Sequence, residues 1–174
     1  MELYVVRHPP PDIAPGVCYG QLDMPIRGDV LPWTLQVRAQ VPPVERRYSS
    51  PLLRCRTLAH SLWSPAEVEL DERLRELHFG NWEGVAWNDI AQPELNQWMM
   101  DYARQRVPGG EGFPDLQARV EHWLEERHAE KPDTLAVVAH KGVIAALRVL
   151  NGQMTLAEAL KAPVEYGEVV HLRF

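Results

Sequence analysis

Two histidines, two arginines and a glutamate, far apart along 174 residues, carry the chemistry open to this chain. Arg7 and His8 close the first apolar run, Leu3-Tyr4-Val5-Val6. Such a run, ending in a charged pair, reads as a buried strand whose carboxyl end opens into a site. His140 follows a second apolar strand, Thr134 to Ala139, so in a parallel sheet both imidazoles emerge on one edge. Arg54 falls in the first turn of a helix read over 51–63, after Ser49-Ser50-Pro51-Leu52-Leu53, and Glu76 lies in Leu74-Arg75-Glu76-Leu77-His78-Phe79-Gly80-Asn81-Trp82-Glu83-Gly84.

Together these types suit phosphoryl transfer through histidine, which needs a neutral imidazole nitrogen in line with phosphorus, cations on the equatorial oxygens and a proton for the departing alkoxide. His8 is the expected nucleophile, its other ring nitrogen donating to a backbone carbonyl to fix the tautomer. Arg7 and Arg54 each offer a planar fork of donors to phosphate oxygens, and Arg54 gains from the unpaired amides of a helix start. Arg56, two residues on, lies about 200° round the helix and cannot face the same pocket. His140 is expected to hold a non-bridging oxygen as charge builds.

The elements that must position these groups alternate in an α/β rhythm. Strands are read at 2–7, 46–49, 134–139 and 169–174, and helices at 29–40, 51–63, from Pro114 onward, 142–150 and 156–160. In the second helix Leu52, Cys55, Ala59 and Leu62 form an apolar stripe, with Ser50 and Pro51 expected as N-cap and first turn. Residues 86–104, rich in Trp, read as one or two covering helices, and 107–112 as a loop.

At 45% hydrophobic the chain is long enough for one core and short for two domains. Net charge is −6 with scattered basic residues, which disfavours nucleic acid and acidic lipid as partners. A phosphorylated metabolite needs only a local basic pocket. No window approaches the roughly 18 apolar residues of a spanning helix. The expected location is the cytoplasm, with Cys18 and Cys55 reduced and Cys55 a small core residue. The seven histidines show no metal-ligand spacing, so neither a metal nor another cofactor is expected. His60, His122 and His128 read as exposed helical positions, His78 and His171 as structural, and Lys141 as lining the pocket mouth.

The order of these segments, with Val137-Val138-Ala139-His140-Lys141-Gly142-Val143, resembles the histidine phosphatase superfamily, the phosphoglycerate mutase-like proteins. Cys18-Tyr19-Gly20-Gln21-Leu22-Asp23-Met24-Pro25 and Pro108-Gly109-Gly110-Glu111 are most similar to bacterial α-ribazole phosphatases of cobalamin biosynthesis. The resemblance implies a single domain over 1–174, a three-layer sandwich with a mostly parallel sheet and helices on both faces, and a cover over the substrate around 81–113. It implies hydrolysis of a phosphomonoester, with α-ribazole 5'-phosphate as the expected substrate and His140 as the second active-site histidine. Glu76 takes the place of the proton donor to the leaving oxygen, a task suited to a carboxyl partly buried by Phe79 and Trp82. Glu83 ranks second, as an anchor in the turn before Gly84.

The chain departs from the family pattern at three places. Pro9, with Pro10 and Pro11, stands where Gly usually follows the histidine, removing a backbone donor and biasing His8 toward extended geometry. Ala145 replaces an arginine common in relatives. The usual auxiliary phosphate ligands after the histidine are missing, and Tyr19, Gln21 or an amide near Gly20 are expected to stand in. The rival readings are a phosphoglycerate mutase, a phosphoprotein phosphatase and a non-catalytic phosphometabolite binder.

Overall fold

The computed structural model describes residues 1–174. Five strands, β1 (Glu2–Arg7), β2 (Arg46–Ser49), β3 (Glu69–Leu70), β4 (Thr134–Ala139) and β5 (Val169–Arg173), form one sheet in the order β3-β2-β4-β1-β5. All neighbours run parallel except β5, which is antiparallel to β1 at the edge. Six α-helices accompany them: α1 (Leu31–Arg38), α2 (Leu53–Leu62), α3 (Gln92–Met100), α4 (Phe113–Glu130), α5 (Lys141–Leu150) and α6 (Leu156–Lys161).

Strand alternation sends side chains to two separate cores. Leu3, Val5, Leu135, Val137 and Ala139 pack under α4, α5 and α6, whose contributions include Leu116, Trp123, Ile144 and Ala159. Val6 and Val138 point the other way, onto Val37 of α1 and Cys55, Leu58, Ala59 and Leu62 of α2. Both sheet faces are thus covered, which is why the central strands read as unbroken apolar runs. Each large aliphatic buried this way stabilises the fold by about 1.5–3 kcal/mol. A third cluster, Cys18, Trp82, Ile90, Leu95 and Val107 with Trp87 and Trp98 against it, lies off the sheet.

Several boundaries differ from the sequence reading. β3 has no sequence signal, being two exposed residues, Glu69 and Leu70, that pair with Tyr48 and Ser49. α2 begins at Leu53 with Leu52 at its N-cap, and Ser50 is not the cap. Instead the Asp23 carboxylate accepts the Leu53 N–H at 2.6 Å, and Ser50 Oγ accepts the N–H of Leu52 at 3.3 Å. The 29–40 helix contracts to Leu31–Arg38, where the Asp29 carboxylate accepts the Leu31 N–H at 3.0 Å. Residues 86–104 resolve into a single 3-10 turn, Trp87–Asp89, followed by α3. Cys18 and Cys55 are both free and buried, and no helix is long and apolar enough to cross a membrane.

Candidate active site

The parallel pairing of β1 with β4 runs in register from Glu2 opposite Thr134 to Arg7 opposite Ala139. One residue further, the His8 N–H donates to the Ala139 carbonyl at 3.0 Å, so the two histidines leave the sheet side by side. Their ring centroids are 5.0 Å apart and edge to face. Both are buried, His8 at 2% exposure and His140 at 0%.

His8 Nδ1 lies 2.6 Å from the Pro9 carbonyl. A carbonyl can only accept, so Nδ1 carries the proton and Nε2 presents its lone pair. Burial, then the charge of Arg54, holds the His8 pKa well below its ordinary value despite the Pro9 carbonyl. The imidazole is therefore neutral near pH 7, as a nucleophile must be. Pro9 thus supplies a carbonyl that fixes the tautomer while withholding an N–H.

Arg54 is fully buried, with Nε 3.4 Å from His8 Nε2. Its Nη1 donates to the Leu22 carbonyl at 3.0 Å and its Nη2 to the Gly20 carbonyl at 2.5 Å. Arg7 donates to the Val164 carbonyl, stacks its guanidinium 3.9 Å above the Tyr166 ring, and keeps a buried Nε with no partner. Carbonyl dipoles orient these cations without neutralising them. Two guanidiniums that face carbonyls and an imidazole, and no carboxylate, leave a positive hole that an anion would fill.

Glu76 comes to the same edge from the other side. Its carboxylate accepts the Leu77 N–H at 2.9 Å and the Gly142 N–H, at the start of α5, at 3.2 Å. Its backbone is held by Arg119 of α4, which donates to the carbonyls of Arg73, Arg75 and Glu76 at 2.6, 2.6 and 2.9 Å. Arg119 is in turn fixed by Glu111, whose carboxylate also accepts the His78 N–H. The two glycines before Glu111 are required by crowding. A Cβ at Gly110 would overlap the His78 carbonyl, and Gly109 adopts φ +70° against Asn81. Arg119 went unnoticed in the sequence, since a clamp across more than forty residues leaves no local pattern.

Tyr19 and Gln21 are both drawn in. The Tyr19 hydroxyl lies 3.0 Å from that of Tyr166, and its ring is 5.5 Å from the Arg54 guanidinium. Burial first, then Tyr166, raises the Tyr19 pKa, so it stays a neutral donor. The Gln21 amide is engaged, giving its N–H to the Glu76 carbonyl at 3.1 Å. Glu83 collects the amides of Gly20, Gln21, Leu22 and Phe79. Burial works to raise its pKa, but these four amides hold it below the usual carboxylate range. Tyr166 and Ser50, both at the site, were missed by sequence reasoning. Tyr166 lies in a loop before Gly167, and Ser50 looked like a helix cap.

Beside Glu76 opens a cavity of 280 Å³, walled by Leu77, Phe79, Trp98, Tyr102, Phe113, Leu116, Ala145 and Leu160, with Lys141 and Gly142 at its polar side. Trp98 lines it and Trp87 does not. No group of three or more His, Cys, Asp or Glu side chains is placed to hold a metal ion. The family model described as "Histidine phosphatase superfamily (branch 1)" matches residues 3–174. The chain belongs to that superfamily. As a histidine phosphatase it is 29% identical to the metal-independent phosphoserine phosphatase of Arabidopsis thaliana over 99% of this chain and 76% of that one. Among solved structures of the superfamily, an α-ribazole phosphatase from Shigella flexneri superposes with a TM-score of 0.86 at 21% identity, covering 98% of this chain and 89% of that one. A mycobacterial glucosyl-3-phosphoglycerate phosphatase superposes with a TM-score of 0.79 at 26% identity, covering 91% and 82%. The three-layer, mostly parallel architecture is that of the phosphoglycerate mutase-like fold.

Proposed function

We propose that this histidine phosphatase hydrolyses a small phosphomonoester through a phosphohistidine at His8 Nε2. The observation that carries the reading is the fixed lone pair of that nitrogen beside the buried Arg54 guanidinium, 3.4 Å away and without a carboxylate partner. Arg7, Arg54 and His140 hold the phosphate oxygens, and the Tyr19 hydroxyl supplements them. Glu76 gives the leaving alkoxide its proton and later takes one from the attacking water. Gln21 acts on this site by holding the Glu76 carbonyl. The segment 81–113 covers the substrate, with Trp98 at the cavity wall. The reaction needs no metal or cofactor.

The substrate we favour is α-ribazole 5'-phosphate, which would place the enzyme in cobalamin nucleotide-loop assembly in the cytoplasm. Eight apolar or aromatic residues wall the cavity next to Glu76, where the leaving alcohol must lie, and one cation, Lys141, faces it. A flat apolar base suits that lining better than the ammonium and carboxylate of phosphoserine. The likeness in fold to α-ribazole phosphatases supports the same choice.

The test is phosphate release, with a chelator present, from α-ribazole 5'-phosphate, L-phosphoserine and 3-phosphoglycerate, comparing wild type with His8→Ala. Preference for the first substrate and an inactive variant are expected, together with an acid-labile, base-stable label on rapid quenching. Equal rates in the variant would overturn the nucleophile. Isomer exchange outpacing hydrolysis would make the protein a mutase, and absence of all turnover a binder.

A further inference from the structure

His140 Nε2 lies 2.8 Å from Ser50 Oγ, and both residues are completely buried. Ser50 Oγ also accepts the Leu52 N–H at 3.3 Å. Its own hydroxyl proton has two acceptors in reach, the His140 Nε2 lone pair and the Cys55 sulfur. The Cys55 thiol lies on the same side, 3.4 Å from His140 Nε2, within reach of the Ser50 hydroxyl and 3.5 Å from the Ala139 carbonyl. Ser50 and Cys55 are held rigidly, Ser50 by its N–H to the Val138 carbonyl and Cys55 by its place in the α2 core. Neither has a task in the mechanism above.

We propose that Ser50 is a positioning residue that sets the tautomer of His140 in the empty site and reverses its hydrogen bond when phosphate binds. The proposal rests on the reading that phosphate sits between His8 and His140. In the empty site the Ser50 O–H donates to the His140 Nε2 lone pair, so the ring proton resides on Nδ1. A phosphate brings negative charge to the ring, and the imidazole takes up one proton, from the substrate monoanion or from solvent, on Nε2. That N–H now donates to Ser50 Oγ. The serine proton turns to the Cys55 sulfur, and the thiol proton stays directed at the Ala139 carbonyl. The serine hydroxyl and the thiol each keep an acceptor in both states. A hydroxyl is suited to this because it both donates and accepts; a backbone carbonyl could serve Nε2 only when that nitrogen carries a proton, and an amide N–H only when it is bare.

The groups facing His140 from the surrounding elements are His8 and Arg7 at the end of β1, Arg54 and Cys55 on α2, Arg119 on α4 and the Glu76 carboxylate at the start of α5. The cations among them oppose protonation in the empty site. Bound phosphate screens that opposition and the serine accepts the new proton.

The decisive measurement is ¹⁵N NMR of the His140 side chain in the intact protein, free and with inorganic phosphate. A protonated Nδ1 and bare Nε2 in the free protein, becoming two protonated nitrogens with phosphate, is the expected result. A protonated Nε2 in the free protein, or an unchanged ring with phosphate, overturns the proposal without any variant being made. In Ser50→Ala the free-state preference for Nδ1–H should be lost and kcat on p-nitrophenyl phosphate should fall about 10- to 100-fold, the loss of one hydrogen bond to a charged group. Ser50→Thr, which keeps the hydroxyl, should restore the tautomer. A merely structural serine predicts that both variants keep the wild-type tautomer. Failure of the underlying site reading looks different, since His8→Ala would then retain turnover.

Discussion

Glu83 and Arg54 grip the same short segment, Gly20 to Leu22, from opposite sides. The carboxylate accepts the N–H groups of Gly20, Gln21 and Leu22, while the guanidinium donates to the carbonyls of Gly20 and Leu22. The peptide dipoles between them point from cation to anion, so each charge is stabilised by groups that the other has oriented. Gly20 is needed at this spot because a Cβ would overlap the Leu77 carbonyl.

Glu83→Gln tests that coupling. An amide oxygen accepts fewer and weaker bonds than a carboxylate, and its NH2 would face backbone donors, at a cost of about 1.5–3 kcal/mol in the loop. The expected outcome is a fall of about tenfold or more in kcat/KM on p-nitrophenyl phosphate, from an Arg54 no longer held. A wild-type kcat/KM in the variant would show that the loop does not orient Arg54.

Gly142→Ala separates the placement of Glu76 from fold stability. In a helix interior alanine is favoured over glycine by about 1 kcal/mol, yet here the new Cβ would meet the Glu76 carboxylate well inside contact distance and Leu116 Cδ2 at 2.9 Å. The carboxylate must swing away from the start of α5. We expect a melting temperature close to wild type with kcat lowered at least about tenfold, most of all for alcohols that leave poorly and need a proton. Unchanged turnover of such substrates would remove Glu76 from the mechanism.

Legibility followed the range of the interactions. The adjacency of His8 and His140 was readable because each ends an apolar run, and two such runs pair in a parallel sheet whose register, Arg7 opposite Ala139, brings their ends together. The α2 stripe was readable for the same reason: burial repeats with the helix period. What stayed hidden is polar and distant. Arg119 serves Glu76 across the chain, Tyr166 lies under Arg7, and Ser50 serves His140 across ninety positions. Their partners are fixed by tertiary packing, which no local periodicity records. β3 was missed because its residues are exposed and follow no strand pattern.

Tyr166 is expected to set phosphate affinity through Arg7. Its ring lies 3.9 Å beneath the guanidinium, and its hydroxyl meets Tyr19. Such stacking contributes about 0.5–2 kcal/mol. Tyr166→Leu should raise KM for p-nitrophenyl phosphate about 3- to 30-fold with a smaller change in kcat. Tyr166→Phe keeps the ring and loses only the hydroxyl pair, so it should stay nearer wild type. Equal defects in the two variants would assign the effect to the hydroxyl.

Stability should fall on mild acidification. Burial and Arg54 hold the pKa of both His8 and His140 well below the ordinary histidine value, so the folded protein binds fewer protons at these sites than the unfolded chain. With an unfolded value of about 6.5, the stability these neutral rings contribute is fully present above that pH and is lost as pH falls below it. Carboxylates held low in the fold, Glu83 and Asp71, lose their contribution only at the more acid pH of carboxylate titration, so the two windows separate. Urea midpoints measured from about pH 7.5 to about pH 5 should drop steadily below about 6.5, and His8→Gln should flatten part of that slope. Saturating inorganic phosphate should flatten it further, because an anion between the rings lets them accept protons without unfolding. A midpoint that holds or rises across this range would mean that the rings are already charged in the folded protein, leaving His8 without the lone pair its attack requires.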